Sequence, residues 1–117
     1  MAEILKLKNL RKAKLAAFSR KQRGCRSLME NSPSADSLKE ALSEVKSAFT
    51  LLEQAHEDYI SIIDEDTLKN DGDYLETPST ALDALKIEVA NTLSKLYIIL
   101  DNGHIALIIV RFQNQLN

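Results

Sequence analysis

The sequence predicts an all-α fold: an antiparallel coiled-coil helical hairpin plus a third C-terminal helix, able to close as a three-helix bundle. Three observations predict it. Gly (3) and Pro (2) are scarce and Trp is absent, while Leu, Ala, Lys and Glu are plentiful, which favours helices over a turn-rich β fold. A heptad stripe of apolar side chains runs from Leu38 to Ile63. The charges separate into a basic first segment and an acidic second segment of equal magnitude. At 117 residues, 44% hydrophobic and 27% charged, the chain accommodates one small domain or extended helical unit, and a second independent core is not expected.

The first helix is expected over 3–30. Ile4, Leu7, Arg11, Leu15, Phe18, Gln22, Cys25 and Met29 step by 3, 4, 4, 3, 4, 3 and 4, a heptad seam with one local departure near Arg11. Asn31-Ser32-Pro33-Ser34 then breaks the chain, and so short a connection makes the flanking helices antiparallel neighbours. The second helix is expected over 35–64, completing a hairpin unit over 3–64. Ser34 or Asp36 can cap it, and acids in its first turns suit the positive end of the helix dipole. Its seam, Leu38, Leu42, Val45, Phe49, Leu52, His56, Tyr59 and Ile63, steps by 4, 3, 4, 3, 4, 3 and 4, and only His56 interrupts it. Ala41, Ala48, Ala55 and Ile62 widen this stripe, the alanines with small side chains that let a neighbouring helix approach closely.

Antiparallel pairing in which facing positions sum to about 67 brings these seams into register. Leu15, Phe18 and Cys25 then meet Leu38, Leu42, Val45, Phe49, Leu52 and Tyr59 as the hairpin core, with Phe18 opposite Phe49. Arg11 and His56, the two polar interruptions, fall at one level. A lone polar pair in an apolar seam costs stability but specifies register. Arg11 and His56, with Glu57 and Asp58 as nearby acids, are the register candidates.

Residues 65–78 form an acidic stretch with Gly72 and a closing Pro78, read as a linker. Thr77 as cap and Pro78 at the first helical position open a third helix at 79, with the stripe Leu82, Leu85, Val89, Leu93, Leu96 and Leu100. It begins a final unit over 79–117, a C-terminal helix and apolar tail. Asn102-Gly103 in that tail reads both as a hairpin turn and as a helix C-cap, and helix-turn-helix is the reading taken here.

No catalytic, metal or cofactor site is expected. Placing Gly72 at the sixth position of a calcium-binding EF-hand loop puts Thr67 and Lys69 at the first and third ligands and Pro78 at the twelfth, so that motif fails. Cys25 lies in the seam, where a thiol behaves as a small buried hydrophobe. His56 and His104 have no second His or Cys at ligand spacing, and no Gly-rich phosphate loop or nucleophile elbow occurs. The chain is therefore read as non-enzymatic. A single cysteine suits a reducing compartment, and the N-terminus lacks the apolar core of a secretory signal, so an intracellular site, cytoplasmic or nuclear, is expected. Asp101, Asn102, Gly103 and His104 cut the apolar end short of a bilayer span, and no membrane association is expected.

Two functional readings remain. Residues 1–30 carry nine Lys/Arg against two acids, and residues 31–66 carry two Lys against nine acids, a +7 segment followed by a −7 segment. Nine cations in the first segment can neutralise phosphates, with Lys12, Arg20, Lys21, Arg23 and Arg26 as candidate nucleic-acid contacts. The competing reading spends much of that charge inside the hairpin, and the segment offers no interleaved aromatics for base stacking except the seam residue Phe18. A protein-interaction or assembly module, self-associating or binding a helical partner, then follows.

One resemblance adds to this. Leu7-Lys8-Asn9-Leu10-Arg11-Lys12-Ala13-Lys14, then Phe18-Ser19-Arg20, a short break, a long acidic helix through Leu52-Glu53-Gln54-Ala55-His56-Glu57-Asp58-Tyr59 and an acidic loop together resemble the N-terminal helical region of Gag-like polyproteins of metazoan Bel/Pao-type retrotransposons. Related uncharacterised invertebrate proteins are similar. The likeness covers about residues 5–75 and rests on pattern rather than on a diagnostic motif. It implies a structural, self-associating role with no catalytic residues, and without a zinc knuckle any nucleic-acid contact would be electrostatic.

Overall fold

A computed structural model of the chain describes residues 2–31 and 33–100, with side chains described to residue 96. The described residues form four helices: α1 (Ala2–Glu30), α2 (Ala35–Ile60), a short α3 (Glu65–Asp71) and α4 (Glu76–Leu100). The fold is all-α, a helical bundle in which α1 and α2 pack together and α4 lies along them. The predicted helix-turn-helix tail lies outside the described residues beyond Leu100.

The seam residues explain the pairing of α1 with α2. Phe18, Cys25, Leu38, Val45 and Leu52 are buried to 1% exposure or less, and Tyr59 to 2%. Leu15, Leu42 and Phe49 are half-buried and pack at the edge of the same core. The Phe18 and Phe49 rings lie 5.6 Å apart, tilted by 59°. This edge-on arrangement sets the positive rim of one ring against the negative face of the other. Truncating Phe18 to Ala would cost about 3–5 kcal/mol through lost burial and the cavity left behind. The start of α2 is fixed locally. Ser34 is extended (φ −77°, ψ 156°), and its hydroxyl accepts from the Ser37 backbone N–H. Buried Pro33 stands just before it.

α4 lies against one side of the hairpin. Leu82, Leu85, Val89 and Leu93, spaced by 3, 4 and 4, are buried in one cluster with Phe18, Cys25, Leu38, Val45 and Ala48. Arg26 pairs with Glu88, and the Thr92 hydroxyl lies 3.5 Å from the Met29 sulfur. Both cross-links join residues about 62 positions apart, so α4 runs parallel to α1 and antiparallel to α2. Leu82, Leu85, Val89 and Leu93 of the third helix's apolar stripe, with Leu96 packed against them, are therefore consumed within the chain.

Three boundaries depart from the sequence reading. α2 stops at Ile60, where the Ser61 N–H bonds back to the Glu57 carbonyl, so Ile63, the expected last seam residue, falls past the helix. The stretch 65–78 is not a plain linker. It contains α3, whose N-cap Asp64 accepts from the Thr67 N–H at 2.8 Å. Finally, α4 begins at Glu76 rather than at 79, and the Ser79 N–H already bonds to the Leu75 carbonyl at 2.9 Å. Pro78 tolerates this because its missing N–H falls among the first-turn donors that have no intrahelical partner in any case.

Candidate functional site

The most unusual chemistry in the described fold sits where the seam turns polar. Arg11 is buried to 4% exposure and His56 to 7%. They meet across the hairpin, with Arg11 Nη1 3.1 Å from His56 Nδ1. A guanidinium can only donate, so Nδ1 accepts and the neutral ring carries its proton on Nε2. Burial, and then the neighbouring Arg11 charge, lower the His56 pKa below its usual value, against smaller upward pulls from Asp71 and Glu57.

The remaining partners are Tyr59 of α2 and two residues of the acidic segment, Asp71 and Tyr74. Arg11 Nη2 lies 3.4 Å from an Asp71 carboxylate oxygen. The Arg11 guanidinium carbon sits 3.6 Å from the centre of the Tyr74 ring and 4.3 Å from that of Tyr59. Tyr74 also stacks on His56, with centroids 5.4 Å apart and planes 8° from parallel. The cation is thus held against two aromatic rings, each worth about 2 kcal/mol where water is excluded. One defect remains: Arg11 Nε is buried without a hydrogen-bond partner. The cage holds its charge by ring faces, a neutral imidazole and one partly solvated carboxylate rather than by a fully satisfied ion pair.

This arrangement corrects the register candidates. Glu57 and Asp58 are exposed, and the Asp58 carboxylate accepts instead from Gln54 Nε2 at 2.9 Å. Helix geometry explains it: at about 100° per residue, positions one and two beyond His56 point about 100° and 200° away from the seam. Asp71 supplies the acid. Sequence reasoning missed both Asp71 and Tyr74, since a two-turn helix is too short to show periodicity and its contact with Arg11 spans 60 residues.

The candidate nucleic-acid contacts divide. Lys21 pairs with Glu44 across the hairpin at 3.5 Å, with both side chains about half exposed, and Arg26 pairs with Glu88 on α4. Lys12, Arg20 and Arg23 are exposed and have no partner among the described residues. With Lys8, they fall within an arc of about 120° on the outer side of α1. Cys25 is buried, and burial raises its thiol pKa, which leaves little thiolate. Among the described residues no group of three or more His, Cys, Asp or Glu is placed to hold a metal ion. No described helix is long and apolar enough to cross a membrane.

Comparison of the chain with protein-family models, curated proteins and solved structures finds no match.

Proposed function

We propose that this chain is a non-enzymatic, coiled-coil assembly module that binds other protein helices. The observation that carries this reading is the side of the α1–α2 hairpin turned away from α4. It carries a surface groove of about 550 Å³ floored by Cys25, Leu28 and Ala41. A second cavity of about 310 Å³ opens beside Ala17, Ala48 and Leu51. Leu51 is 53% exposed there, on a face that α4 does not cover. A hairpin with one side sealed by its own third helix and the other left open suits lateral assembly. The Gag-like resemblance belongs to the same proposal, because a self-associating head region would use such a surface. Sedimentation velocity of the native chain over a wide concentration range tests it. The expected result is a mass above that of one chain, rising with concentration; a single-chain mass throughout would remove the reading.

A second reading rests on Lys12, Arg20 and Arg23, the exposed cations without described partners. They make an electrostatic patch suited to nucleic-acid phosphates. Its signature is binding that weakens with log-log slope of about −0.7 to −0.9 per phosphate neutralised as salt rises. No gel shift at low salt would eliminate it.

A further inference from the structure

The open side of the hairpin carries more than apolar surface. Lys21 and Glu44 line both cavities, so the two are sections of one groove along α1 and α2, and no residue of α4 lines either section. Basic Arg20 and Lys21 form the α1 edge, and acidic Glu40 and Glu44 form the α2 edge. Small side chains floor the space between: a Cβ added at Gly24 would meet nothing within 4 Å, and Ala17 and Ala41 stand nearby. At this section of the groove the α1 edge is cationic and the α2 edge anionic.

Such a surface complements itself in one orientation. Place two open faces together about a two-fold axis perpendicular to the helices and lying in the interface. Then α1 falls on α1 and α2 on α2, so like charges oppose. Turn the axis parallel to the helices and each α1 falls on the α2 of the other copy. Every neighbouring pair in the resulting four-helix arrangement is then antiparallel, and at the level of Lys21 and Glu44 the contact between copies is basic against acidic. Rotation about that axis leaves height along the helices unchanged. Lys21 of each copy therefore stands level with Glu44 of the other, giving an alternating ring of two lysines and two glutamates around the axis. At the level of Gly24 and Ala41, small residues let the four backbones approach.

We infer that the occupant of the open hairpin groove is a second copy of this chain, docked about a two-fold axis parallel to α1 and α2 with the Lys21–Glu44 bridges alternating across it. This rests on the assembly reading above and names its partner and geometry.

The test is charge reversal with mixing, on the full chain, read by sedimentation equilibrium with circular dichroism to confirm folding. Lys21→Glu gives a ring of four acids and Glu44→Lys a ring of four bases. Each alone is expected to weaken self-association by about a hundredfold, because like charges brought together at an interface cost several kcal/mol. An equimolar mixture of the two variants sets acids of one chain against bases of the other, so opposite charges meet only between different chains and the two-chain species returns on mixing. Gly24→Gln, which fills open space in the monomer and improves helix propensity, is expected to block the groove without unfolding α1. A native two-chain mass indifferent to all three substitutions would overturn this interface while leaving assembly through another surface. Variants that dissociate singly but stay apart when mixed would overturn the alternating geometry. A native chain that never exceeds one-chain mass would overturn both this inference and the assembly reading.

Discussion

Removing the Tyr74 ring tests the energetics of the buried cation. In Tyr74→Ala the guanidinium loses the ring 3.6 Å from its carbon, and His56 loses the ring stacked 5.4 Å away. The first contact is worth about 2 kcal/mol in a site where Arg11 is nearly inaccessible, and the ring pair adds about 0.5–1.5 kcal/mol. Tyr74 is half-buried, so truncation also gives up part of its apolar burial. The expected destabilisation is about 3 kcal/mol, which lowers the melting midpoint of a domain this size by roughly 15 °C. Other losses can mimic that number, so the decisive quantity is coupling. Arg11→Met keeps the aliphatic stem and deletes the charge. Urea unfolding followed by far-ultraviolet circular dichroism for the native chain, Tyr74→Ala, Arg11→Met and the double variant gives a cycle, with an expected interaction energy of about 2 kcal/mol. Additivity to within about 0.5 kcal/mol would refute the claim that Tyr74 acts by covering the cation.

Three further outcomes follow from the same geometry. His56 is held neutral, so the unfolded chain binds more protons below the usual histidine value of 6.5 than the folded chain does. Stability is therefore fully present above that value and declines as pH falls through it; His56→Asn, which retains an acceptor for Arg11, should flatten the slope between about pH 7 and 5 in urea titrations. Cys25 should react with a thiol reagent in the native state only at the rate of global or subglobal opening, so rapid stoichiometric labelling of the folded chain would contradict its burial. Ser34→Ala removes the acceptor 3.1 Å from the Ser37 N–H and should cost about 1 kcal/mol in chemical denaturation, with Ser34→Asp restoring it.

The parts of this structure legible in the sequence are those written as repeating patterns. Steps of 3 and 4 place Phe18 opposite Phe49 and bury Leu38, Val45 and Leu52, because in a two-helix seam the spacing and the short connection together leave one register. The meeting of Arg11 with His56 follows from the same count. What closes over that pair does not. Asp71 and Tyr74 lie in a segment whose acids and glycine carry the signature of a loop, and nothing periodic marks them. One local signal was available: Asp64 followed three residues later by Thr67 can cap a helix, and a short α3 turns the chain back so that Tyr74 reaches Arg11. The partner of a buried charge is set by tertiary proximity, which a sequence reveals only when both members sit on patterned elements. The early start of α4 has a similar origin. Thr77-Pro78 suits a cap and first position, but Leu75 is half-buried, and its carbonyl starts the helical bonding first.

The same contrast separates the cations of α1. Charge counting gives one basic segment, whereas the fold draws Lys21 toward α2, Arg26 toward α4 and Arg11 into the interior, leaving Lys12, Arg20 and Arg23 outward. Helical phase decides which cations brace the bundle and which meet solvent.

Arg11 sits between the hairpin and the segment folded over it, in contact with both tyrosine rings. Nuclear Overhauser spectroscopy on the native chain measures this directly. Cross-peaks from the Arg11 side chain to the ring protons of both Tyr59 and Tyr74, with Arg11 δ-protons shifted upfield by the ring currents, are the predicted result. Arg11 resonances at solvent-exposed positions, with no cross-peak to either ring, would contradict it.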